Sequence, residues 1–393
     1  MSDVRDLDRR YIEFVFRAGR HVPVLVSGIA PPLREVKARL DAEEVRDAGA
    51  LRDVGAALVD DASTSGTAVG VYVAQESAAI VAQLEVAGGA EISYVDLCTR
   101  LLGVPVRPVA DDVLTRLQAD ALGRAQDVLG GSAPDVRTWE AAGLRGDEKL
   151  DAVAALLDAH RERCAERFPF RPELDVELTK TDDPVVSVGA WYYGRRASVL
   201  EVNPDLPRQR ATLYFEVAHN ALPGDLLHLA ALEERWLEGE QLLLGGLKVK
   251  NVPGNVIAEG LEDLAAAFLV EDDPPPDVAL VLVLEELRRS VAVNAAVALR
   301  HDGRPEAEVR DMLGDIGLMS ADRVAQTVGL IKHPLWGTYV YTYVGGRNIV
   351  GPAWRAARAA GDEAAFFTTL YSELLTPAIF AGRFGDHAAG APA

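Results

Sequence analysis

Cysteine is scarce in this chain of 393 residues, and long apolar runs are absent. Two cysteines, Cys98 and Cys164, are too few for a disulfide framework or a cysteine-based zinc site, and we interpret both as reduced thiols in or near the core. The longest apolar stretch, 278–284, is interrupted by Glu285 and Glu286 and is too short to span a bilayer. The first residues contain no apolar segment typical of a signal peptide. We therefore expect a cytoplasmic protein.

Basic residues are also in the minority, because 40 lysines and arginines face 60 aspartates and glutamates, for a net charge of −20. This balance argues against nucleic-acid and membrane partners, which need clustered positive charge. No phosphate-binding loop, glycine-rich dinucleotide turn or G-x-S-x-G motif is present. We expect the partner to be a small molecule or short peptide, and the sequence leaves the oligomeric state open.

Apolar residues at helical spacing cover most of the chain and predict a mainly α-helical protein with a small embedded β-sheet. We expect an N-terminal helical region over 1–150 and a second region over 151–385, forming one compact unit with a central cleft. Alternating, β-branched and aromatic residues predict two or three strands in 173–203. Helices carrying the motif described below are expected over 207–271, and a disordered tail over 386–393.

Residue types that bind metals are concentrated in two predicted helical segments, 212–234 and 255–268. The first contains His219, Asp225 and His228, and the second contains Glu259, Glu262 and Asp263. Imidazole and carboxylate together suit Zn²⁺ or another divalent first-row metal. The three acidic residues of the second segment fall at i, i+3 and i+4 and therefore share one helix face.

The first segment cannot present its ligands from a regular helix. His219 and Asp225 would point about 120° apart, and His219 and His228 about 180° apart. Pro223 cannot donate to the carbonyl of His219, and Gly224 permits an unusual backbone. We expect a distortion there that brings Asp225 beside His219. The alternative is a kinked helix in which the two residues only form caps or hydrogen bonds, and the role of His228 stays open.

The order and spacing of these residues resemble gluzincin-type zinc metallopeptidases, above all their bacterial domain-of-unknown-function 885 branch. That family carries His-Glu-x-x-Pro-Gly-His-His on one helix and a Glu-Gly pair on a later helix. Here 219–226 reads His-Asn-Ala-Leu-Pro-Gly-Asp-Leu, and a Glu-Gly pair follows at 259–260. The segments 200–207 and 333–346 resemble the family's sheet edge and its C-terminal tyrosine-rich segment. The resemblance implies a zincin-like helical body with a central cleft, in which 151–385 is the gluzincin-like catalytic region.

The resemblance also implies metal ligands at His219, Asp225 and Glu259. Such a set of one histidine and two carboxylates suits Zn²⁺, Fe²⁺ or Mn²⁺. The position of the family's general-base glutamate is occupied by Asn220, and an amide cannot take a proton from a metal-bound water. A standard peptidase mechanism is therefore not expected. The remaining carboxylates that could act as base are Glu262, Asp263 and Glu216.

The substrate-facing residues follow from the same resemblance, which implies that the tyrosine-rich segment faces the cleft. There we prefer Tyr343 as donor to a developing oxyanion and Tyr341 as a substrate contact. In gluzincins the edge strand of the sheet pairs with extended substrate. The corresponding strand here contributes one tyrosine as a substrate contact and two arginines, which suit a substrate carboxylate. These are Tyr192, Arg195 and Arg196. The alternatives are aromatic packing for the tyrosines and solvated strand ends for the arginines.

These features together predict a divergent metal-dependent enzyme that acts on a small amino-acid-like or peptide-like substrate. Its reaction is either hydrolase-like or that of a repurposed biosynthetic enzyme, such as a lyase or isomerase. The alternatives are a metal-free enzyme and a non-catalytic small-molecule-binding protein on the same scaffold. We interpret the charged residues of 285–289 as a solvated helix face, and Lys248 and Lys250 as part of a polar loop, with binding of an acidic substrate group as the alternative.

Overall fold

The computed structural model describes residues 2–169, 173–183, 186–270 and 273–385, and it is mainly helical, as predicted. The first helices are α1 (Ser2–Ala18), α2 (Pro31–Asp41), α3 (Ala48–Thr64), α4 (Ala68–Ala87), α5 (Tyr94–Leu102), α6 (Asp111–Leu129), α7 (Ala133–Ala141) and α8 (Gly146–Arg167). The later helices are α9 (Arg210–Asn220), α10 (Asp225–Leu232), α11 (Gly254–Val270), α12 (Pro276–Arg300), α13 (Glu306–Asp315), α14 (Ala321–Lys332), α15 (Trp336–Tyr339), α16 (Tyr341–Ala360), α17 (Glu363–Ser372) and α18 (Pro377–Phe384). A π-helical turn, Glu233–Gly239, extends α10, and a 3₁₀ turn covers Leu243–Gly246.

The predicted embedded sheet consists of β2 (Asp175–Lys180), β3 (Val188–Gly194) and β4 (Ala197–Val202), in the order β2-β4-β3. β4 is parallel to β2 and antiparallel to β3. Leu200 and Val202 of β4 are fully buried, so one face of the sheet packs on the helices. A second, two-stranded antiparallel sheet was not predicted. It pairs β1 (Val26–Ile29) with β5 (Leu247–Val249).

Two hydrophobic cores meet at the long helix α12. The first core contains Phe14 and other apolar residues of α1 and α3–α6, and the second contains Phe268 with residues of α8–α11 and α16–α18. α12 gives Leu284 to the first core and Val281 to the second. A helix with apolar residues on every side must be surrounded by protein. Full burial of each large apolar side chain contributes about 1.5–3 kcal/mol.

The predicted distortion at the Pro-Gly pair is confirmed, and it divides the first motif segment into two helices. α9 ends at Asn220, the Leu222-Pro223 peptide bond is cis, and α10 begins at Asp225. A Cβ atom on Gly224 would lie 1.8 Å from the carbonyl oxygen of His219, so only glycine fits this turn. The turn places Asp225 in the first turn of a new helix.

Two glycines allow α11 and α16 to cross with their backbones in contact. A Cβ atom on Gly260 would lie 2.4 Å from the carbonyl carbon of Gly346. This crossing places the neighbouring Glu259 beside the tyrosine-rich segment. That segment is helical, so Tyr339 and Tyr343 share one face while Tyr341 points away from it.

The predicted tail, 386–393, lies outside the described residues. Within the described ranges, no helix combines the length and apolar character needed to cross a membrane.

Candidate functional site

The predicted central cleft is a cavity of about 630 Å³ bordered by β3, α9, α11, α12, α14 and α16. Eight of the predicted site residues line it: Tyr192, Glu216, His219, Asn220, Asp225, Glu259, Glu262 and Tyr343. Four do not, and these are Arg195, Arg196, Asp263 and Tyr341. The two predicted motif helices therefore meet at one cavity.

Three side chains converge on a common point in the wall of this cavity. His219 Nε2 lies 3.6 Å from Glu259 Oε2 and 3.7 Å from Glu262 Oε2. Ligand atoms bound tetrahedrally at about 2.1 Å from an ion lie about 3.4 Å from one another, so the spacing fits a divalent metal. Glu259 Oε2 is buried and has no hydrogen-bond partner in the described structure. We call His219, Glu259 and Glu262 the carboxylate–histidine group.

Asp225, predicted as the second ligand, does not belong to this group. It lies at the start of α10, and its Oδ1 accepts a hydrogen bond from Lys248 Nζ. Glu262, predicted as a base, takes the third position because it lies one helical turn after Glu259. The structure therefore groups Glu262, and not Asp225, with His219 and Glu259.

The electrostatics of the group differ for each member. Burial lowers the pKa of His219, and the guanidinium of Arg289 lowers it further. Burial and the neighbouring charge of Glu259 raise the pKa of Glu262 well above its ordinary value. Burial opposes ionisation of Glu259 too, but the charge of Lys250, with that of Lys248 and the hydrogen bond from Tyr339, outweighs burial and holds the pKa of Glu259 below its ordinary value. The group therefore contains a neutral imidazole, which is the metal-binding form of histidine.

Lys250 and Tyr339 orient the carboxylate of Glu259. Lys250 Nζ donates to the Tyr339 hydroxyl at 2.8 Å, and that hydroxyl donates to Glu259 Oε1. Lys250 Nζ also lies 3.6 Å from the same oxygen. With Oε1 held, Oε2 faces His219. Lys248 and Lys250 therefore belong to the buried site, and their interpretation as a polar loop was wrong.

Asp263, another predicted base, is held by two arginines. Its Oδ1 lies 2.8 Å from Arg289 Nε and its Oδ2 2.9 Å from Arg347 Nε. On α11, Glu262 lies about 60° to one side of Glu259 and Asp263 about 40° to the other. Asp263 therefore reaches the arginines of α12 and α16 rather than the cavity, which removes it as a base.

Tyr343 lines the cavity beside the carboxylate–histidine group. Its ring centre is 6.1 Å from that of His219, and the Arg289 guanidinium carbon lies 3.9 Å above the tyrosine ring. Burial and the charge of Glu259 raise the pKa of Tyr343, so its hydroxyl keeps its proton and can donate. Its role in stabilising an oxyanion stays a prediction.

Most of the predicted substrate contacts lie elsewhere. Arg195 and Arg196 occupy the exposed turn between β3 and β4, with φ of 51° and 68°. The Tyr341 hydroxyl donates to the carbonyl of Pro105, because its helical position turns it away from the cavity. Tyr192 lines the cavity, but its hydroxyl donates to Glu233. The two arginines and Tyr341 therefore lie away from the cavity lining.

Asn220 lines the cavity beside the carboxylate–histidine group. Its Nδ2 donates to the Glu216 carbonyl at 2.8 Å. Glu216 was the remaining predicted base, but its carboxylate accepts from Arg208 Nε and Ser187 Oγ, both at 2.7 Å. Neither residue has the free carboxylate of a general base.

The sequence interpretation missed a set of charged residues at the cavity wall, namely Arg208, Glu285, Arg288 and Arg323, which line the cavity together with the predicted Glu216. Glu285 and Arg288 were assigned to a solvated helix face, yet both are at most 5% exposed. The sequence did contain a signal that these two residues are buried. Apolar residues occupy every face of α12, so no face of this helix is left for solvent.

Comparisons with known proteins show the fold alone. No family model matches the chain, and no curated protein matches it. A candidate lipoprotein from Colwellia psychrerythraea superposes with a TM-score of 0.60 and 14% identity, over 91% of this chain and 66% of that one. A second candidate lipoprotein, from Shewanella oneidensis and of unknown function, gives a TM-score of 0.52 and 11% identity over 90% and 75% of the two chains. This chain thus spans slightly less than two thirds of the first protein's length.

Proposed function

We propose that this chain is a divergent metal-dependent enzyme whose ion is held by His219, Glu259 and Glu262. The observation that supports it is the convergence of one ligand atom from each residue to within 4.8 Å, in the wall of a large cavity. The buried and unpartnered Glu259 Oε2 gives this arrangement an acceptor that needs a cation or a donor. Such a ligand set suits Zn²⁺, Fe²⁺ or Mn²⁺.

The residues around the group define what the chain itself contributes. When bound, the ion supplies Lewis acidity to an oxygen of the substrate. Lys250 and Tyr339 hold the ligand carboxylate of Glu259, and Tyr343 donates to negative charge that develops on the substrate. Asn220 cannot move a proton. The reaction is therefore hydrolase-like without the usual peptidase base, or it is a lyase or isomerase step.

The cavity volume of about 630 Å³ is typical of small-molecule sites. This supports a small amino-acid-like or short peptide-like substrate. The cytoplasmic location and the absence of nucleic-acid and membrane partners stay predictions.

Metal analysis of protein purified without chelator tests the proposal. We expect about one divalent ion per chain in the wild type, or saturable binding of added Zn²⁺, Mn²⁺ or Fe²⁺ in calorimetric titrations. His219→Ala and Glu262→Gln should each remove this binding, whereas His301→Ala, on an exposed turn, should retain it. Circular dichroism checks that each variant is folded. Equal and negligible binding in all four proteins would refute the metal proposal.

A second candidate is a metal-free enzyme or binding protein on the same cavity. The observation that favours it is the pair of buried lysines among the carboxylates. Lys248 Nζ contacts Asp225, and Lys250 Nζ lies 3.6 Å from Glu259. Burial would lower the pKa of Lys248, but Asp225 and its neighbouring carboxylates outweigh burial and raise it, so a cation is already present. Ligand binding or turnover by wild type that binds no metal would identify this alternative.

A further inference from the structure

One end of the cavity is lined by two arginines, each bonded to a carboxylate. Arg208 Nε donates to Glu216 Oε1 at 2.7 Å, and Arg323 Nη2 donates to both carboxylate oxygens of Glu285 at 2.7 Å. The side chain of Arg208 is 18% exposed to solvent, and that of Arg323 is 23% exposed. Both guanidiniums are therefore within reach of a molecule in the cavity.

A buried lysine adds a positive charge behind this wall. Lys149 is 0% exposed, and its Nζ donates to Ser187 Oγ at 3.1 Å and to the carbonyls of Asn203 and Leu206 at 2.7 and 3.0 Å. Ser187 in turn donates to Glu216 Oε2 at 2.7 Å. Lys149 thus contacts neutral oxygens in the described structure, and its link to a carboxylate passes through a serine.

The charges of this cluster do not balance. Its cations are Lys149, Arg208, Arg288 and Arg323, and its carboxylates are Glu140, Glu216 and Glu285. Four positive groups against three negative ones leave one positive charge in a poorly solvated place. Buried charge without a partner is costly, so the cluster favours a ligand that brings one negative charge.

We propose that this cluster binds a carboxylate group of the substrate, with Arg208 and Arg323 donating to it. The two contacts to Glu216 and Glu285 engage only some of the five N–H groups of each guanidinium. Arg347 shows that one guanidinium here serves two carboxylates, because it bonds to Asp263 and Glu286 at 2.9 and 2.8 Å. The sequence interpretation assigned binding of a substrate carboxylate to arginines at the exposed turn between β3 and β4. This proposal assigns it to Arg208 and Arg323 inside the cavity.

The charge count and the position of the cluster define the ligand further. A carboxylate neutralises the excess charge, whereas a phosphate dianion would exceed it and lie beside two glutamates. Glu216 and His219 are three residues apart on α9, so their Cβ atoms are about 5–6 Å apart. A small carboxylic acid bound at the arginines would therefore lie in the same cavity as the carboxylate–histidine group and close to it. The identification of the bound molecule as a substrate rests on the proposed function. The binding of a carboxylate by the two arginines does not.

Calorimetric titration of the full chain, treated with chelator and without added metal, tests the subsite. The probes are N-acetylglycine, its neutral amide N-acetylglycinamide, and inorganic phosphate at equal ionic strength. We expect wild type to bind N-acetylglycine at least ten-fold more tightly than the amide or phosphate. Arg208→Gln and Arg323→Gln should each weaken N-acetylglycine binding at least ten-fold. Arg195→Gln and Arg196→Gln, which change arginines outside the cavity, should leave it unchanged.

Each contrary result overturns a defined part of the inference. Equal binding of the amide, unchanged binding by both cavity variants, or no binding at millimolar N-acetylglycine would overturn the subsite. Tighter binding of phosphate would overturn its assignment to a carboxylate. Binding that appears only after metal addition and survives both substitutions would place the anion on the metal, which leaves the proposed function intact. If Arg208→Gln fails to fold, Arg208→Lys tests the same bond with the charge kept.

Discussion

Glu76, a buried residue of α4 whose carboxyl contacts the start of α11, gives this protein a pH-dependent stability that a single substitution should remove. Glu76 is 0% exposed, and its Oε1 accepts from the backbone N–H of Gly254 at 2.8 Å. Its Oε2 accepts from the Tyr11 hydroxyl at 3.4 Å. Burial raises the pKa of Glu76 to about 8, although these hydrogen bonds act against the shift. The residue matters to the site because α11 carries Glu259 and Glu262.

The raised pKa means that the folded protein holds a proton that the unfolded chain releases at its ordinary pKa of 4.5. This contribution to stability is fully present below pH 4.5 and is lost as the pH rises through about 8. The rise of the pKa from 4.5 to about 8 corresponds to about 5 kcal/mol in the free energy of unfolding, at about 1.4 kcal/mol for each pKa unit. Glutamine resembles the protonated acid and cannot ionise. Glu76→Gln should therefore match wild type near pH 4.5 and exceed its stability by up to about 5 kcal/mol above pH 8.

Urea denaturation followed by circular dichroism between pH 4.5 and 9 measures this difference. Because the other titrating groups are common to both proteins, the difference between their free energies of unfolding isolates Glu76. Glu91→Gln, at an exposed position, is the matched control and should give a difference that does not vary with pH. A constant difference between wild type and Glu76→Gln across this range would show that Glu76 is not protonated in the folded protein, and the reasoning would be refuted.

Two further substitutions test the surroundings of the carboxylate–histidine group. Tyr339→Phe removes the donor to Glu259 Oε1 and should weaken metal binding about 10- to 100-fold, measured by competition with a chromophoric chelator, while the fold is kept; unchanged affinity would contradict the orienting role. Gly260→Ala places a methyl group 2.4 Å from Gly346 and should destabilise the protein by about 1–3 kcal/mol or more in urea denaturation. Gly123→Ala, where nothing lies within 4 Å, is its control, and equal stabilities of the two variants would contradict the close helix crossing.

Local patterns predicted much of the fold. Apolar spacing identified the helical character, the three-stranded sheet and the helix α11, because each of these depends on the period of side chains along a short segment. The break before Asp225 followed from the chemistry of Pro223 and Gly224 alone. The pairing of β1 with β5 was missed, since residues 26–29 and 247–249 are far apart in the chain and each strand is too short to show a pattern.

The sequence by itself determined that His219 and Glu259 lie on two different helices and that Glu262 shares a face with Glu259. The tertiary structure decided which carboxylate joins the histidine, because the turn at Gly224 directs Asp225 to Lys248. It also decided which arginines line the cavity, since Arg323 lies more than a hundred positions beyond Arg208 and only packing brings them together. Helical periodicity is local and can be read along the chain, whereas the partner of a buried charge is fixed by which helices pack against one another.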